Sequence, residues 1–381
     1  MQEMIIKTDK ERLSSKSVFG HLSNIEEAID IEHVKEVEQR QLDTFAFKPV
    51  NPLPVMVTMR DDVGHKTYGH DEWPPFTFDQ MWNDYGAMLL NELKPVYESV
   101  RLKDDKVFSI RPNLSQLVLP SLFGAQGSFY LLDEDSMPSV HKPPTREELE
   151  KRVDGEIDFK EHWTIIKYLE IIDCWKDLLK NYPKLKTTLH FTLPDLQGPF
   201  NLYFILRGSD AYTDLYTDPV FVHKTMKRIT EVLIDVTNYL SDYIGQKETG
   251  FYWNYTFPGK VRNVDDNSVL VSREHYLEFI LPYNKLLFKS CGGGIHHYCG
   301  KGDHLIDLIM EMEGAYGINF GNPELQNWDS LYNKSLEHKK VLLWDKEIPV
   351  KTFKELDRGV IMRIFVSSIA EGKAKMAEYR E

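Results

Sequence analysis

The chain has 381 residues, of which 42% are hydrophobic and 28% are charged, a balance typical of a globular protein with a sizeable core. The formal net charge of -13, with no basic tract to oppose it, argues against nucleic-acid binding. Three cysteines are too few, and odd in number, for a disulfide framework, so a reducing compartment is expected.

The amino-terminal sequence shows no targeting signal. Residues 1–16 are charged and lack an apolar h-region, and no apolar run in the chain is long enough to span a bilayer. We therefore expect a cytoplasmic protein without membrane contact, a monomer or a homodimer, that acts on a small molecule.

The first 50 residues are polar and are interpreted as a helical extension. Ser23 and Glu26 have the spacing of a capping box, and an amphipathic helix is predicted from there to about Phe45. We expect this extension to pack on the body of the protein, residues 51–381. A mobile arm is the alternative.

Beyond the extension, short β-rich apolar runs alternate with helical patterns. The runs are residues 53–59, 107–111, 189–193, 250–255, 294–299, 315–320, 340–345 and 359–366. The helical patterns include residues 78–93, 159–179, 219–243, 273–289 and 303–312. Eight such units predict an α/β fold of the (β/α)8 TIM-barrel class. An open doubly wound sheet is the alternative, and no glycine-rich nucleotide-binding motif is present.

The fifth run, residues 294–299, carries the strongest chemical signal. Side chains alternate along a strand, so Ile295, His297 and Cys299 share one face, which is predicted to point into the barrel. An imidazole and a thiolate at the carboxyl end of a barrel strand are suitable ligands for Zn2+. The alternative is a buried histidine beside a small apolar cysteine.

A catalytic zinc usually has three protein ligands and one open position, so a third ligand is needed. Asp265 and Asp266 lie in a polar stretch after the fourth run. We predict Asp265 as the third ligand and Asp266 as a general base, with turn capping as the alternative. Glu324 and Asp345 are further candidates for the ligand at the same end of the barrel.

Three other polar residues follow predicted strands. Asp195 lies past the third run, and Asn319 and Glu324 lie at or past the end of the sixth. We predict that Asp195 and Asn319 contact the substrate and that Glu324 takes part in catalysis. The alternative is that these residues only form turns.

Several short segments occur in order between about residues 190 and 325. They are Gly-Pro-Phe at 198–200, Leu-Arg-Gly-Ser at 206–209, Tyr-Thr-Asp-Pro at 216–219, Val-Ser-Arg at 271–273, Phe-Ile-Leu-Pro-Tyr at 279–283 and His-Tyr-Cys-Gly at 297–300. In these segments the chain resembles the uroporphyrinogen decarboxylase superfamily. The resemblance implies a (β/α)8 barrel and substrate contacts at Arg207 and Tyr298.

One branch of that superfamily contains corrinoid-dependent methyltransferases, including methylcobamide:coenzyme M methyltransferases. There a His-x-Cys pair and a later cysteine hold a zinc ion that activates an acceptor thiol. The resemblance therefore implies zinc at His297 and Cys299 and a cobalamin (corrinoid) carried by a partner protein. No cysteine follows Cys299, so an oxygen ligand has to replace the distal sulfur.

The other branch decarboxylates uroporphyrinogen without a cofactor. Its Met-Arg-Gln-Ala-Gly-Arg motif is retained here only as far as Arg60, and Asn113 stands where that branch has an aspartate after the second strand. The resemblance implies catalytic roles for Arg60 and Asn113, but the second arginine of the motif is absent. Fewer guanidinium groups suit a poly-carboxylate substrate less well.

The leading hypothesis is a zinc-assisted methyltransferase that works with a corrinoid carrier. Decarboxylation of uroporphyrinogen or a related poly-carboxylate is the alternative, and it predicts a basic pocket around Arg60, Arg111 and Arg207. A non-catalytic module that binds a corrinoid or a partner protein is a further alternative. A two-carboxylate glycosidase has no support in the sequence.

Overall fold

The computed structural model describes residues 15–60, 73, 76–128 and 137–380. The strands are β1 (Val55–Met59), β2 (Ser109–Ile110), β3 (Gln126–Ser128), β4 (Ser139–Lys142), β5 (His190–Phe191), β6 (Thr249–Tyr252), β7 (Tyr255–Pro258), β8 (Val261–Val264), β9 (Gly294–Tyr298), β10 (Ala315–Phe320), β11 (Val341–Trp344) and β12 (Val360–Val366).

The helices alternate with these strands through most of the chain. They are α1 (Ser15–Ala28), α2 (Ile31–Phe45), α3 (Phe78–Asn83), α4 (Tyr85–Leu102), α5 (Val118–Leu122), α6 (Arg146–Asp154), α7 (Trp163–Leu179), α8 (Pro183–Thr188), α9 (Pro199–Arg207), α10 (Asp210–Thr217), α11 (Pro219–Ile244), α12 (Arg273–His275), α13 (Leu281–Ser290), α14 (Ile306–Met310), α15 (Trp328–His338), α16 (Val350–Glu355) and α17 (Ile369–Arg380). Short 3-10 turns cover Asp266–Leu270 and Pro323–Leu325, and Tyr276–Ile280 is a π-helical turn.

The main sheet is parallel and has six strands in the order β1-β12-β11-β10-β9-β8. Strands β2 and β5 form a separate parallel pair. This mixed α/β architecture is TIM-barrel-like, as the alternation of strands and helices predicted. The predicted closed barrel is not found among the described residues, because the strand ladder is interrupted between β1 and β2 and between β5 and β8.

Along β1, two acidic side chains accept the hydrogen bonds that a neighbouring strand would otherwise accept. The backbone N–H of Val55 donates to the Asp105 carboxylate at 2.9 Å, and that of Val57 donates to Asp104 at 2.7 Å. An unpaired N–H buried at a sheet edge is costly, and these carboxylates replace the missing neighbouring strand. Strands β1 and β2 form no ladder with each other among the described residues.

The predicted fourth strand, residues 250–255, is instead the centre of a β-hairpin. Strands β6 and β7 pair in antiparallel fashion around Trp253 and Asn254, whose φ angles of 47° and 67° are those of a type I′ turn. The fourth parallel strand is β8 (Val261–Val264), in the stretch that the sequence presented as a polar loop. The turn lacks the glycine that usually marks such hairpins.

The hairpin packs against the inner face of the parallel strands. These strands form an incomplete ring, which is called the strand ring below. A second hydrophobic core forms there from Phe45, Met56, Tyr252, Tyr255, Phe257, Ile295, Val341, Leu343 and Ile361. Aromatic side chains from β6 and β7 thus pack against inward-facing aliphatic side chains of the parallel strands. The hairpin and the parallel strands bury these side chains together below the carboxyl ends of the strands.

The amino-terminal extension consists of two helices rather than one. Asp30 caps α2 by accepting from the His33 backbone N–H, whereas Ser23 lies inside α1 and bonds back to the Phe19 carbonyl. The predicted capping box at Ser23 is therefore wrong. Gln41 of α2 donates to the Asp105 carbonyl at 2.7 Å, so the described part of the extension is anchored to the body. Residues 1–14 of the predicted extension lie outside the described residues.

No helix within the described parts of the chain combines the length and the apolar character needed to cross a membrane.

Candidate metal centre

Strand β9 places two potential metal ligands at the carboxyl end of the strand ring. It pairs with β8 on one side and β10 on the other, and it is buried throughout. Ile295 belongs to the interior core, so His297 and Cys299, two and four residues later, face the same way. Gly321 makes room for the thiol, because a Cβ atom there would lie 2.4 Å from the Cys299 Sγ.

Asp266 joins this pair at the end of β8. The His297 Nε2 atom lies 3.6 Å from Cys299 Sγ and 3.4 Å from Asp266 Oδ1, and all three ligand atoms lie within 4.8 Å of one another. Tetrahedral zinc, with bonds of about 2.3 Å to sulfur and about 2.0–2.1 Å to nitrogen or oxygen, separates such pairs by about 3.6 and 3.4 Å. The donor set suits a zinc ion, and the two distances from His297 match those of such a site.

A hydrogen bond orients the imidazole for this role. His297 Nδ1 lies 2.7 Å from Asn319 Oδ1, which leaves Nε2 free to face Cys299 and Asp266. The Asn319 amide nitrogen in turn faces the Leu343 carbonyl and the Asp345 carboxylate, each at 3.4 Å, which supports this orientation of the amide. Such an outer hydrogen bond fixes the tautomer of a metal-binding histidine.

Burial controls the protonation of all three groups. It holds the pKa of His297 well below its ordinary value, with the Arg262 charge acting in the same direction, so the imidazole is neutral. Burial and then Asp266 raise the pKa of Cys299 to about 12, and burial raises that of Asp266. A buried cation is what would favour the thiolate over the thiol here.

The structure corrects the predicted role of Asp265. Its carboxylate accepts from the Asn284 side chain at 2.9 Å and lies 4.0 Å from His296, on the outer face of the strands. Burial raises the pKa of Asp265 to about 7. Adjacent residues at a strand end point to opposite faces, so Asp266 and not Asp265 stands beside His297.

Four other predicted site residues lie away from this cluster. The Tyr298 ring is fully buried on the outer face and packs on Phe320. Arg207 forms two hydrogen bonds with Asp214 at the end of α9. Glu324 is exposed and accepts a hydrogen bond from Asn322, and Asn113 accepts one from the Ser115 N–H.

Arg60 and Asp195 lie near the interior of the strand ring. The Arg60 guanidinium lies 3.6 Å over the Phe365 ring, and Asp195 Oδ2 lies 3.8 Å from Arg111 Nη1. Because Arg207 is tied to Asp214, the basic pocket predicted from Arg60, Arg111 and Arg207 does not form in that combination.

Two arginines of the interior were missed by the sequence reasoning. Arg262 on β8 stacks on Tyr252 and Trp253 at 4.5 and 4.6 Å, and Arg363 on β12 donates to the Trp253 carbonyl at 2.6 Å. Placing a strand at residues 261–264 would have revealed the inward position of Arg262. The alternation along residues 359–366 already carried the signal for Arg363.

Comparison with known proteins gives a structural likeness only. No protein-family model matches the chain, and no curated protein matches it. Among solved structures, a methyltransferase from Methanosarcina mazei superposes with a TM-score of 0.62 at 14% sequence identity, covering 90% of this chain and 98% of that one. At this identity the likeness shows a shared fold.

Proposed function

We propose that the chain is a zinc-assisted methyltransferase that methylates a small-molecule thiol, with the methyl group supplied by a corrinoid on a partner protein. The observation that carries this proposal is the convergence of Asp266, His297 and Cys299 on one point at the carboxyl ends of the strands. Active sites of barrel enzymes are found at this end.

Asp266, His297 and Cys299 would hold the zinc through oxygen, nitrogen and sulfur. Asp266 takes the place of the sulfur ligand that is missing after Cys299. When bound, zinc acts as a Lewis acid that lowers the pKa of an acceptor thiol and makes it a nucleophile. A set with one sulfur leaves the ion more electrophilic than a set with two, which would suit a less acidic acceptor.

The surrounding residues position the ligands and bury most of the imidazole. Asn319 holds His297 in the ligand-ready tautomer, and Asp345 lies 3.4 Å from the Asn319 amide nitrogen. Below them the aromatic hairpin closes the interior, with Tyr255 donating to Asp345 at 3.0 Å. A preorganised site of low dielectric strengthens electrostatic effects on a reacting thiolate.

Methyl transfer is chosen over other zinc chemistry for two reasons. The His-x-Cys pair resembles that of the corrinoid-dependent branch, and the Methanosarcina mazei methyltransferase shares the fold. In the proposed step the thiolate sulfur forms a bond to the methyl carbon as the carbon–cobalt bond breaks. The corrinoid donor would keep the electron pair of the broken bond, and the thiol proton would have passed to solvent before this step.

The direct test is zinc content together with methyl transfer. Purified protein should contain about one zinc per chain, and the His297→Ala variant should contain almost none, while the exposed His141→Ala variant serves as a matched control. Methyl transfer from methylcobalamin to 2-mercaptoethanol should be faster with the wild type than with the His297→Ala variant. Equal, negligible zinc in the wild type and in His297→Ala would overturn the proposal.

A second candidate, decarboxylation of a poly-carboxylate, is favoured by one observation. Arg60 and Arg111 border one cavity of about 390 Å3, which lies between the ends of β1 and β2 and helix α4 and where they could meet substrate carboxylates. Anaerobic incubation with uroporphyrinogen tests it, and formation of coproporphyrinogen by zinc-free protein would favour this candidate over methyl transfer.

A further inference from the structure

Trp253 has a strained backbone at the tip of the β6–β7 hairpin. Its φ angle is 47°, a left-handed conformation that bulky residues rarely adopt, because the Cβ atom crowds the following carbonyl oxygen. The next turn residue, Asn254, belongs to a residue type that tolerates this conformation. Strained residues persist only where the surrounding structure holds them, and they are concentrated at functional sites.

The turn is held from three directions. Arg363 of β12 donates to the Trp253 carbonyl at 2.6 Å, and the buried Asn254 side chain donates to the Val107 carbonyl at 3.1 Å. The Asn254 carbonyl accepts from the Gln41 side chain of α2 at 3.1 Å. Three separate parts of the fold therefore fix the backbone from which the Trp253 side chain projects.

The indole of Trp253 is the exposed part of an otherwise buried hairpin. Trp253 is 43% exposed, whereas Tyr252 and Tyr255 near the turn are almost completely buried. The Arg262 guanidinium lies 4.6 Å from the centroid of the indole, and the Tyr252 ring is tilted against it at 5.3 Å. Trp253 also lines the cavity between β1, β2 and α4, so its remaining aromatic surface is open to a small molecule.

Arg262 links this aromatic surface to the candidate metal centre. It pairs with Ile295 in the β8–β9 ladder, and His297 follows on the same inward face two residues later. After the larger effect of burial, the Arg262 charge acts on the pKa of all three potential ligands. The guanidinium that stacks on Trp253 is therefore a near neighbour of the ligand cluster.

The chemistry of the indole surface favours a flat, conjugated group. Aromatic rings stack with an offset or meet edge to face, and such contacts add to the gain from burying apolar area. A cation can also rest on an indole. Here, however, Arg262 and Arg363 lie beside the ring and would repel a second positive charge. An aliphatic group gains the burial without the ring-to-ring contact.

We infer that Trp253 is a specificity-determining residue, which selects a methyl acceptor that carries a planar aromatic group as well as its thiol. The assignment of the planar group to the methyl acceptor rests on the proposed function, whereas the stacking surface does not. This role accounts for the strained turn, because a type I′ turn by itself favours asparagine, aspartate or glycine over tryptophan.

A matched pair of ligands separates stacking from burial. Benzyl alcohol has a planar ring, and cyclohexylmethanol has the same skeleton with a puckered, saturated ring. Benzyl alcohol should bind at least about twofold more tightly, the lower limit for an aromatic pair. Titration followed by saturation-transfer NMR measures both dissociation constants. Equal or weaker binding of benzyl alcohol overturns the inference, as does Trp253-dependent binding of choline, a quaternary ammonium cation, in its place.

Variants assign the preference to one residue. Trp253→Phe keeps an aromatic ring and should retain the preference for benzyl alcohol, whereas Trp253→Leu should abolish it. Trp253→Asn, which suits the left-handed backbone, gives a second test if Trp253→Leu does not fold. Trp163→Leu removes a tryptophan that is 42% exposed on α7 and is the matched control. A merely structural Trp253 would affect both alcohols equally, and an unchanged ratio of their affinities overturns the inference.

The alcohols lack a thiol, so the same titration on chelator-treated protein separates this inference from the proposed function. A Trp253-dependent preference for benzyl alcohol in a protein that never holds zinc overturns the proposed function alone. Zinc-dependent methylation of 2-mercaptoethanol without that preference overturns the inference alone.

The corresponding thiols test the assignment to the methyl acceptor. Benzyl mercaptan should be methylated with a lower KM than cyclohexylmethanethiol, and Trp253→Leu should remove this difference while kcat changes little. Equal KM values for the two thiols in the wild type would show that the planar group does not belong to the acceptor.

Discussion

The Nδ1 atom of His297 lies 2.7 Å from the Asn319 side-chain oxygen, and this contact decides which imidazole nitrogen faces the other two potential ligands. Without it, the ring is free to change tautomer or rotate. We predict that Asn319→Ala weakens zinc binding about 10–100-fold, the usual effect of losing such an outer partner. Competition with a chelator of known affinity measures the change.

Asn333→Ala is the matched control for this experiment. Asn333 is exposed on α15, outside the ligand cluster and its hydrogen bonds, and its substitution should leave the zinc affinity unchanged. If Asn319→Ala binds zinc as tightly as Asn333→Ala does, the proposed orienting role of Asn319 is wrong.

The adjacent aspartates after β8 provide a second prediction. Asp266→Asn replaces the carboxylate beside His297 with a neutral amide, which is a poorer ligand for zinc, so zinc affinity should fall by more than the about 10–100-fold expected for an outer partner. Asp265→Asn alters only the outer face, where its partner is Asn284, and should bind zinc like the wild type. The two substitutions are chemically identical, so each serves as the control for the other. The reverse result would restore Asp265 as the ligand.

The same two residues show what the sequence can and cannot predict. His297 and Cys299 could be placed together because the alternation along a strand is a local property of the chain. Choosing between Asp265 and Asp266 required the exact position of β8, because a shift of one residue moves every side chain to the opposite face of the strand. The hairpin at residues 249–258 resembled the fourth strand and hid β8 in an apparent loop.

The resemblance to a family predicted the TIM-barrel-like fold better than it predicted individual contacts. Arg207 lies in a shared segment, yet its charge is used to hold Asp214 at the end of α9. Tyr298 lies in the His-Tyr-Cys segment, yet its ring packs on the outer face. The cavity could not be predicted at all, because it depends on the gap between β1 and β2, which strand patterns do not reveal.

Gly321 gives the last prediction, which concerns the space around the thiol. A Cβ atom at this position would lie 2.4 Å from the Cys299 Sγ and 3.3 Å from its Cα, so the alanine variant must displace the cysteine or the strand. We expect Gly321→Ala to lose about 1–3 kcal/mol of unfolding free energy through overpacking, and to lose zinc as well. Denaturant unfolding and metal analysis measure the two effects.

Gly20→Ala is the control, because a Cβ atom at Gly20 in α1 meets nothing within 4 Å. There alanine should stabilise the helix by up to about 1 kcal/mol, since glycine has the greater conformational freedom in the unfolded chain. The two substitutions should therefore change stability in opposite directions, and only Gly321→Ala should alter the zinc content. A Gly321→Ala protein that keeps both its stability and its zinc would show that Cys299 is not confined as the structure indicates.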